Sequence, residues 1–138
     1  MTDLCHIFFF CVGSVNCTSD VSNSTPVYAL QGGEAVLQCE YEGNRLIWEV
    51  YRGVILDRVA YGGAVSDSSK YSVSKNPSTG LYYRLHILNV GVSDLKKYRC
   101  ETVVNGVIQY FYLQLYLLGK CNYILGIFKV GTCFISCW

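Results

Sequence analysis

The stretch Asp94-Leu-Lys-Lys-Tyr98-Arg-Cys100 decides how this chain folds, taken together with Cys39 and Trp48 upstream. Tyr98 and Cys100 are two positions apart, so on a strand they share one face. Cys39 ends an alternating run, Ala35-Val-Leu37-Gln-Cys39, and Trp48 sits in another, Leu46-Ile-Trp48-Glu-Val50. Both runs have the period of two that marks a half-buried strand. Two cysteines at inward positions, with a large aromatic between them in sequence, suggest two sheets facing one core.

The rest of the composition agrees with a β protein. Tyrosine occurs 12 times, methionine once and proline twice. Aromatic and β-branched residues alternate with polar ones, and no long segment spaces its apolar residues as a helix would. The 138 residues suffice for one domain of about 100 residues plus ends. The 11 basic and 10 acidic residues nearly cancel, so charge gives no reason to expect a nucleic-acid partner.

The order Cys39…Trp48…Asp94…Tyr98-x-Cys100 resembles the immunoglobulin superfamily, over roughly residues 26–118. The resemblance implies an all-β, Greek-key immunoglobulin-like sandwich with strands A-B-C-C′-D-E-F-G. The separation of Cys39 and Cys100, about 60 positions, leaves room for the extra C′ strand of a variable-type domain. The resemblance also implies a disulfide between Cys39 and Cys100, and with it an oxidising compartment. Closing a loop of that length stabilises by roughly 3 to 4.5 kcal/mol in the chain-entropy model. From the residues alone, two buried free thiols are the alternative. Trp48, Tyr98, Asp94, Leu85 and Ile87 form the implied core signature. The Tyr98 hydroxyl is expected to bond back to the backbone at the E–F corner. Asp94 is placed to pair with Lys70, worth about 1 kcal/mol or less if exposed. Lys96 stands where the family usually has a small residue.

Taken in order, strand A is expected over about Val27–Leu30 and B over Glu34–Tyr41, with Ala35, Leu37 and Cys39 inward. Strand C turns Leu46, Trp48 and Val50 inward, C′ spans about Val54–Ala60, and D spans Lys70–Val73. Strand E points Leu85 and Ile87 inward and His86 outward, and F covers Lys97–Val104. Asn105-Gly106 is a two-residue hairpin signal, because both residues tolerate positive φ. That turn sets Val104 opposite Val107, Thr102 opposite Gln109, Cys100 opposite Phe111 and Tyr98 opposite Leu113. Opposed residues share a face. Val107, Phe111, Leu113, Leu115 and Leu117 are therefore expected in the core, with Gln109 at its rim. Tyr116 and a candidate partner-binding face point out: Ile47, Glu49 and Tyr51 of C, Arg99, Glu101 and Val103 of F, and Ile108, Tyr110 and Tyr112 of G. A tyrosine body with a polar tip suits a protein–protein contact; ordinary strand propensity is the alternative.

The ends read differently. Residues 1–17 carry an apolar core of signal-peptide length, although Asp3 and no basic residue precedes it. Residues 18–25 read as a linker, and Asn23-Ser-Thr25 and Asn16-Cys-Thr18 match the glycosylation sequon. The tail, 119–138, is expected to be irregular, apolar and cysteine-containing, with Cys121, Cys133 and Cys137. Lys129 in its middle makes it a poor membrane span, at a cost of about 2.5 to 3.5 kcal/mol for a central charge. A translated intron or alternative terminal exon after Gly119-Lys120 is the other expectation, which leaves membrane attachment open.

No G-x-S-x-G, glycine-rich phosphate loop or H-E-x-x-H occurs, so no enzyme, cofactor or metal site is expected. The resemblance implies extracellular recognition: a cell-surface adhesion or immune-receptor module binding a protein through the G-F-C-C′ face. That partner could be another immunoglobulin-type domain, met homophilically or heterophilically. The alternative is a secreted soluble decoy, inhibitor or defence factor. An antigen receptor is disfavoured, because strand G lacks Phe-Gly-x-Gly and the F–G loop is too short for diversity.

Overall fold

The structure, a computed structural model, describes residues 24–121 and 131–135, with side chains described for residues 24–118. The expected leader over residues 1–17, the sequons at Asn16 and Asn23, and Lys129 and Cys137 of the tail lie outside the described residues. The strands are β1 (Thr25–Leu30), β2 (Ala35–Gly43), β3 (Ile47–Arg52), β4 (Ile55–Tyr61), β5 (Ala64–Val65), β6 (Tyr71–Lys75), β7 (Tyr82–Ile87), β8 (Lys97–Val104), β9 (Val107–Cys121) and β10 (Gly131–Ile135). One sheet runs β1-β9-β8-β3-β4-β5, with β10 also on β9; the other is β2-β7-β6. β1 is parallel to β9. In the letters used above, β2, β7 and β6 are B, E and D, and β9, β8, β3 and β4 are G, F, C and C′. The short β5 adds the C″ position, which completes the variable-type arrangement.

The core lies between the sheets and follows the alternation of the strands. Ala35, Leu37 and Cys39 of β2 are buried, as are Trp48 and Val50 of β3 and Leu85 and Ile87 of β7. Tyr98 and Cys100 of β8 meet Leu113, Leu115 and Leu117 of β9 in the same cluster. Cys39 and Cys100 form a disulfide across it, with Cα atoms 6.0 Å apart. It joins β2 of one sheet to β8 of the other, and Trp48 lies directly opposite Cys100 on the neighbouring strand.

The corner before β8 is closed by a polar network. The Tyr98 hydroxyl donates to the Asp94 carbonyl oxygen at 2.8 Å. The Asp94 carboxylate accepts from Lys70 Nζ at 2.7 Å and from the Gly91 amide at 2.9 Å. The Asp94 side chain is only 8% exposed, so the magnitude for an exposed ion pair does not apply to it. Lys96 fits the corner: its amide donates back to Asp94 O at 2.8 Å and its carbonyl accepts from Leu115 at 3.2 Å.

The hairpin of β8 and β9 keeps the register that its turn dictates, from Val104 opposite Val107 to Tyr98 opposite Leu113. Asn105 and Gly106 both have positive φ, at 52° and 78°. Three expectations need correction. Val107 does not line the core; it is 57% exposed, because the hairpin tip extends past the cover of the β2-β7-β6 sheet. Phe111 is half-buried at the core margin. Part of the tail expected to be irregular is strand. β9 continues to Cys121, and Gly131–Ile135 returns antiparallel along it. Leu117 and Leu118 pair with β1 and with β10, so those two strands flank β9 on opposite edges. The physical reason is that β8 starts opposite Gln114, which leaves the next stretch of β9 with unpaired backbone groups that the β-prone Thr132-Cys133-Phe134-Ile135 can meet.

Candidate protein-binding face

Strands β9, β8, β3 and β4 present one outward surface, and their registers set its rows. Ile108 lies opposite Val103 at the hairpin end. The next row is Tyr110, Glu101, Ile47 and Tyr61, and the one after it is Tyr112, Arg99, Glu49 and Arg58. Tyr61 and Arg58 are not placed on the face by sequence pattern alone. The register between β3 and β4 shifts after Trp48, which leaves Val59 unopposed. A bulge of this kind turns two consecutive residues inward, and Val59 and Ala60 are both buried. The signal was the adjacent apolar pair, Val59-Ala60, just before an aromatic.

The centre of the face is an ion-paired cluster. Arg99 donates from Nε and Nη2 to Glu49 Oε1 at 3.1 and 2.7 Å, and Nη2 lies 3.6 Å from Glu101 Oε1. Its guanidinium sits 4.5 Å from the centroid of the Tyr110 ring. Lys97 Nζ stands 4.8 Å from the Tyr112 ring and 5.5 Å from that of Tyr51, and Arg58 covers Tyr61 at 5.4 Å. Cations over aromatic faces are favourable contacts. They also explain why Tyr51 and Tyr112 are half-buried although they point away from the core. Partial burial raises the Tyr51 hydroxyl above its ordinary range, and neighbouring Tyr112 adds to the effect. Tyr116 also points out but belongs to the β1–β9 edge, where it stacks on Tyr28 at 5.7 Å.

Apolar exposure is concentrated toward the hairpin end. Val103 is 61% exposed, Ile108 51%, and Tyr110 and Tyr61 each 42%, whereas Ile47 between them is half-buried. The surface is therefore two-part: a satisfied charged centre and an apolar end. Asp94, Trp48, Tyr98, Leu85 and Ile87 take no part in it and serve the core and corner. Among the described residues no group of three or more His, Cys, Asp or Glu could hold a metal ion.

Neither a protein-family model nor a curated protein matches this sequence. Solved structures do. One is the crystal structure of the ZIG-8–RIG-5 IG1–IG1 heterodimer in its monoclinic form, with a TM-score of 0.55, 17% sequence identity, and coverage of 76% of this chain and 90% of that one. The fold is immunoglobulin-like. Matches extend to 1832 chains, so an immunoglobulin-like fold this widely shared assigns no particular role by itself.

Proposed function

We propose that the chain is an extracellular recognition module of the cell-surface adhesion or immune-receptor kind, and that its β9-β8-β3-β4 face binds another immunoglobulin-type domain. The observation that carries this is the apolar end of the face, Val103, Ile108, Tyr110 and Tyr61, set beside Arg99, which is already paired with Glu49 and Glu101. Docking there buries apolar surface without stripping water from an unpaired ion, the costly step in polar association. Tyrosine and isoleucine held on strands also lose little freedom on binding.

Two further observations support the reading. A disulfide across the core belongs to oxidising compartments, which fits a leader over residues 1–17, a domain over residues 26–118 and glycosylation at Asn23 or Asn16. A structure similar to this one was solved as a heterodimer of IG1 domains. A secreted soluble form is the second version. Among the described residues no helix is long and apolar enough to cross a membrane. Fractionating the expressed chain between medium and membranes separates the two versions.

The binding face is tested with Ile108→Ser and Tyr110→Ser, alone and together. Self-association is read by analytical ultracentrifugation, and binding to immunoglobulin-type domains by titration. The double variant is expected to keep its melting temperature and to lose association about tenfold or more. Unchanged association in the folded double variant overturns this placement of the face.

A further inference from the structure

The outward side of the other sheet carries a relay that recognition does not use. His86 lies on β7 between β2 and β6. Its Nδ1 is 3.2 Å from Glu34 Oε2, and its Nε2 is 2.8 Å from Ser74 Oγ. The three residues come from three places in the chain: Glu34 just before β2, His86 near the end of β7 and Ser74 near the end of β6. The His86 side chain is 20% exposed and that of Glu34 46%, so the group sits in a shallow, solvent-reachable position.

The partners fix which way the protons lie. An ionised carboxylate only accepts, so the bond to Glu34 requires the proton on Nδ1. In the neutral imidazole Nε2 then carries the lone pair, and the Ser74 hydroxyl must donate to it. A hydroxyl donating to an imidazole that a carboxylate orients is the arrangement that activates a serine nucleophile. Arg84 lies opposite Ser74 in register on β7, but its guanidinium turns to the other neighbour, with Nε 3.2 Å from Gln38 Oε1 on β2, and takes no part in the relay.

We propose that Ser74 is a base-activated nucleophile toward activated esters, with His86 as the general base and Glu34 as the residue that positions it. In the reacting step a bond forms between Ser74 Oγ and the acyl carbon, the bond from that carbon to the leaving oxygen breaks, and the hydroxyl proton passes to His86 Nε2. Imidazolium then returns the proton to the departing alkoxide or phenoxide, leaving acyl-Ser74 and an alcohol. Water hydrolyses the acyl group by the same route in reverse, and the net change is one ester plus one water to one acid plus one alcohol. An open sheet face limits the reaction to donors with good leaving groups, because it leaves the reacting carbonyl in water.

The probe is an alkyl fluorophosphonate added to the full chain, with peptide mass mapping of the adduct. The Oγ–P bond forms as fluoride leaves, so the product is stable and its site can be read. Ser74 is expected to be labelled in preference to Ser66, Ser68, Ser69, Ser72 and Ser78. His86→Gln is expected to lower Ser74 labelling about tenfold or more. Glu34→Gln, at a more exposed position, is expected to slow labelling several-fold and alter its pH profile while the melting temperature stays unchanged, which a purely structural role would not do. Equal labelling of the serines, or Ser74 labelling unaffected by Glu34→Gln and His86→Gln in folded protein, overturns the proposal. Association through the opposite face is measured separately, so neither result decides the other.

Discussion

The two ends of β8 are built for opposite purposes. At its start, Tyr98 and Asp94 are buried, the Asp94 carboxylate takes hydrogen bonds from Lys70 and Gly91, and the Tyr98 hydroxyl closes onto the Asp94 backbone. At its finish, Val103 is exposed and the chain reverses through only Asn105 and Gly106. The polar groups of the first end are turned inward and satisfied, whereas the apolar groups of the second are turned outward and uncovered. One strand thus carries a clamp and part of the proposed contact surface, with the disulfide at Cys100 between them. Stability and recognition can vary independently when they occupy opposite ends of an element.

Substitutions can break or sharpen that contrast. The largest effect belongs to the centre. Replacing Cys39 and Cys100 together by alanine is expected to cost about 4 kcal/mol in urea unfolding, because it releases a long loop in the unfolded chain. Asp94→Ala comes next, at about 2–3 kcal/mol, since it leaves Lys70 and the Gly91 amide without their buried partner. If Asp94→Ala costs no more than a change at the hairpin end, the clamp is not a clamp.

Tyr98→Phe is expected to cost about 1 kcal/mol through the lost bond to the Asp94 carbonyl, which keeps the Lys96 amide as its remaining donor. It also carries a pH signature. Burial pushes the hydroxyls of Tyr98 and Tyr71 above the ordinary 10.0. The folded chain holds those protons more tightly than the unfolded one. Their contribution is complete below pH about 10 and is lost as pH rises from there toward the folded values. Stability should therefore fall in alkali, with a shallower slope in Tyr98→Phe when melting is followed against pH. The smallest stability effect is expected from Ile108→Ser with Tyr110→Ser, within about 0.5 kcal/mol of the parent, even as association is lost.

The contrast was only half legible in sequence. The clamp was readable because its parts sit at fixed offsets, Asp94, Tyr98 and Cys100, and the hairpin register because Asn-Gly permits one tight turn. What escaped depends on distant pairing. Tyr61 joins the face only through the bulge at Val59, which the adjacent apolar pair Val59-Ala60 hints at but does not place in register. Val107 obeys its register yet is exposed, because alternation fixes a direction but not how far the opposite sheet reaches. Tyr51 and Tyr112 were placed outward correctly, but Lys97 over their rings was not foreseen. His86 reads as a lone surface histidine until Glu34 and Ser74 are brought to it from 52 and 12 positions away.

The two-residue β5 has a consequence of its own. A sheet grows sideways only where a border strand offers a run of free amides and carbonyls, and Ala64–Val65 offers almost none. At the other border β1 carries Pro26, which has no amide hydrogen to give. Fibre-like growth through the β1 and β5 borders of this sheet is discouraged. For the recognition role proposed above, crowded copies would be left to meet flat side to flat side.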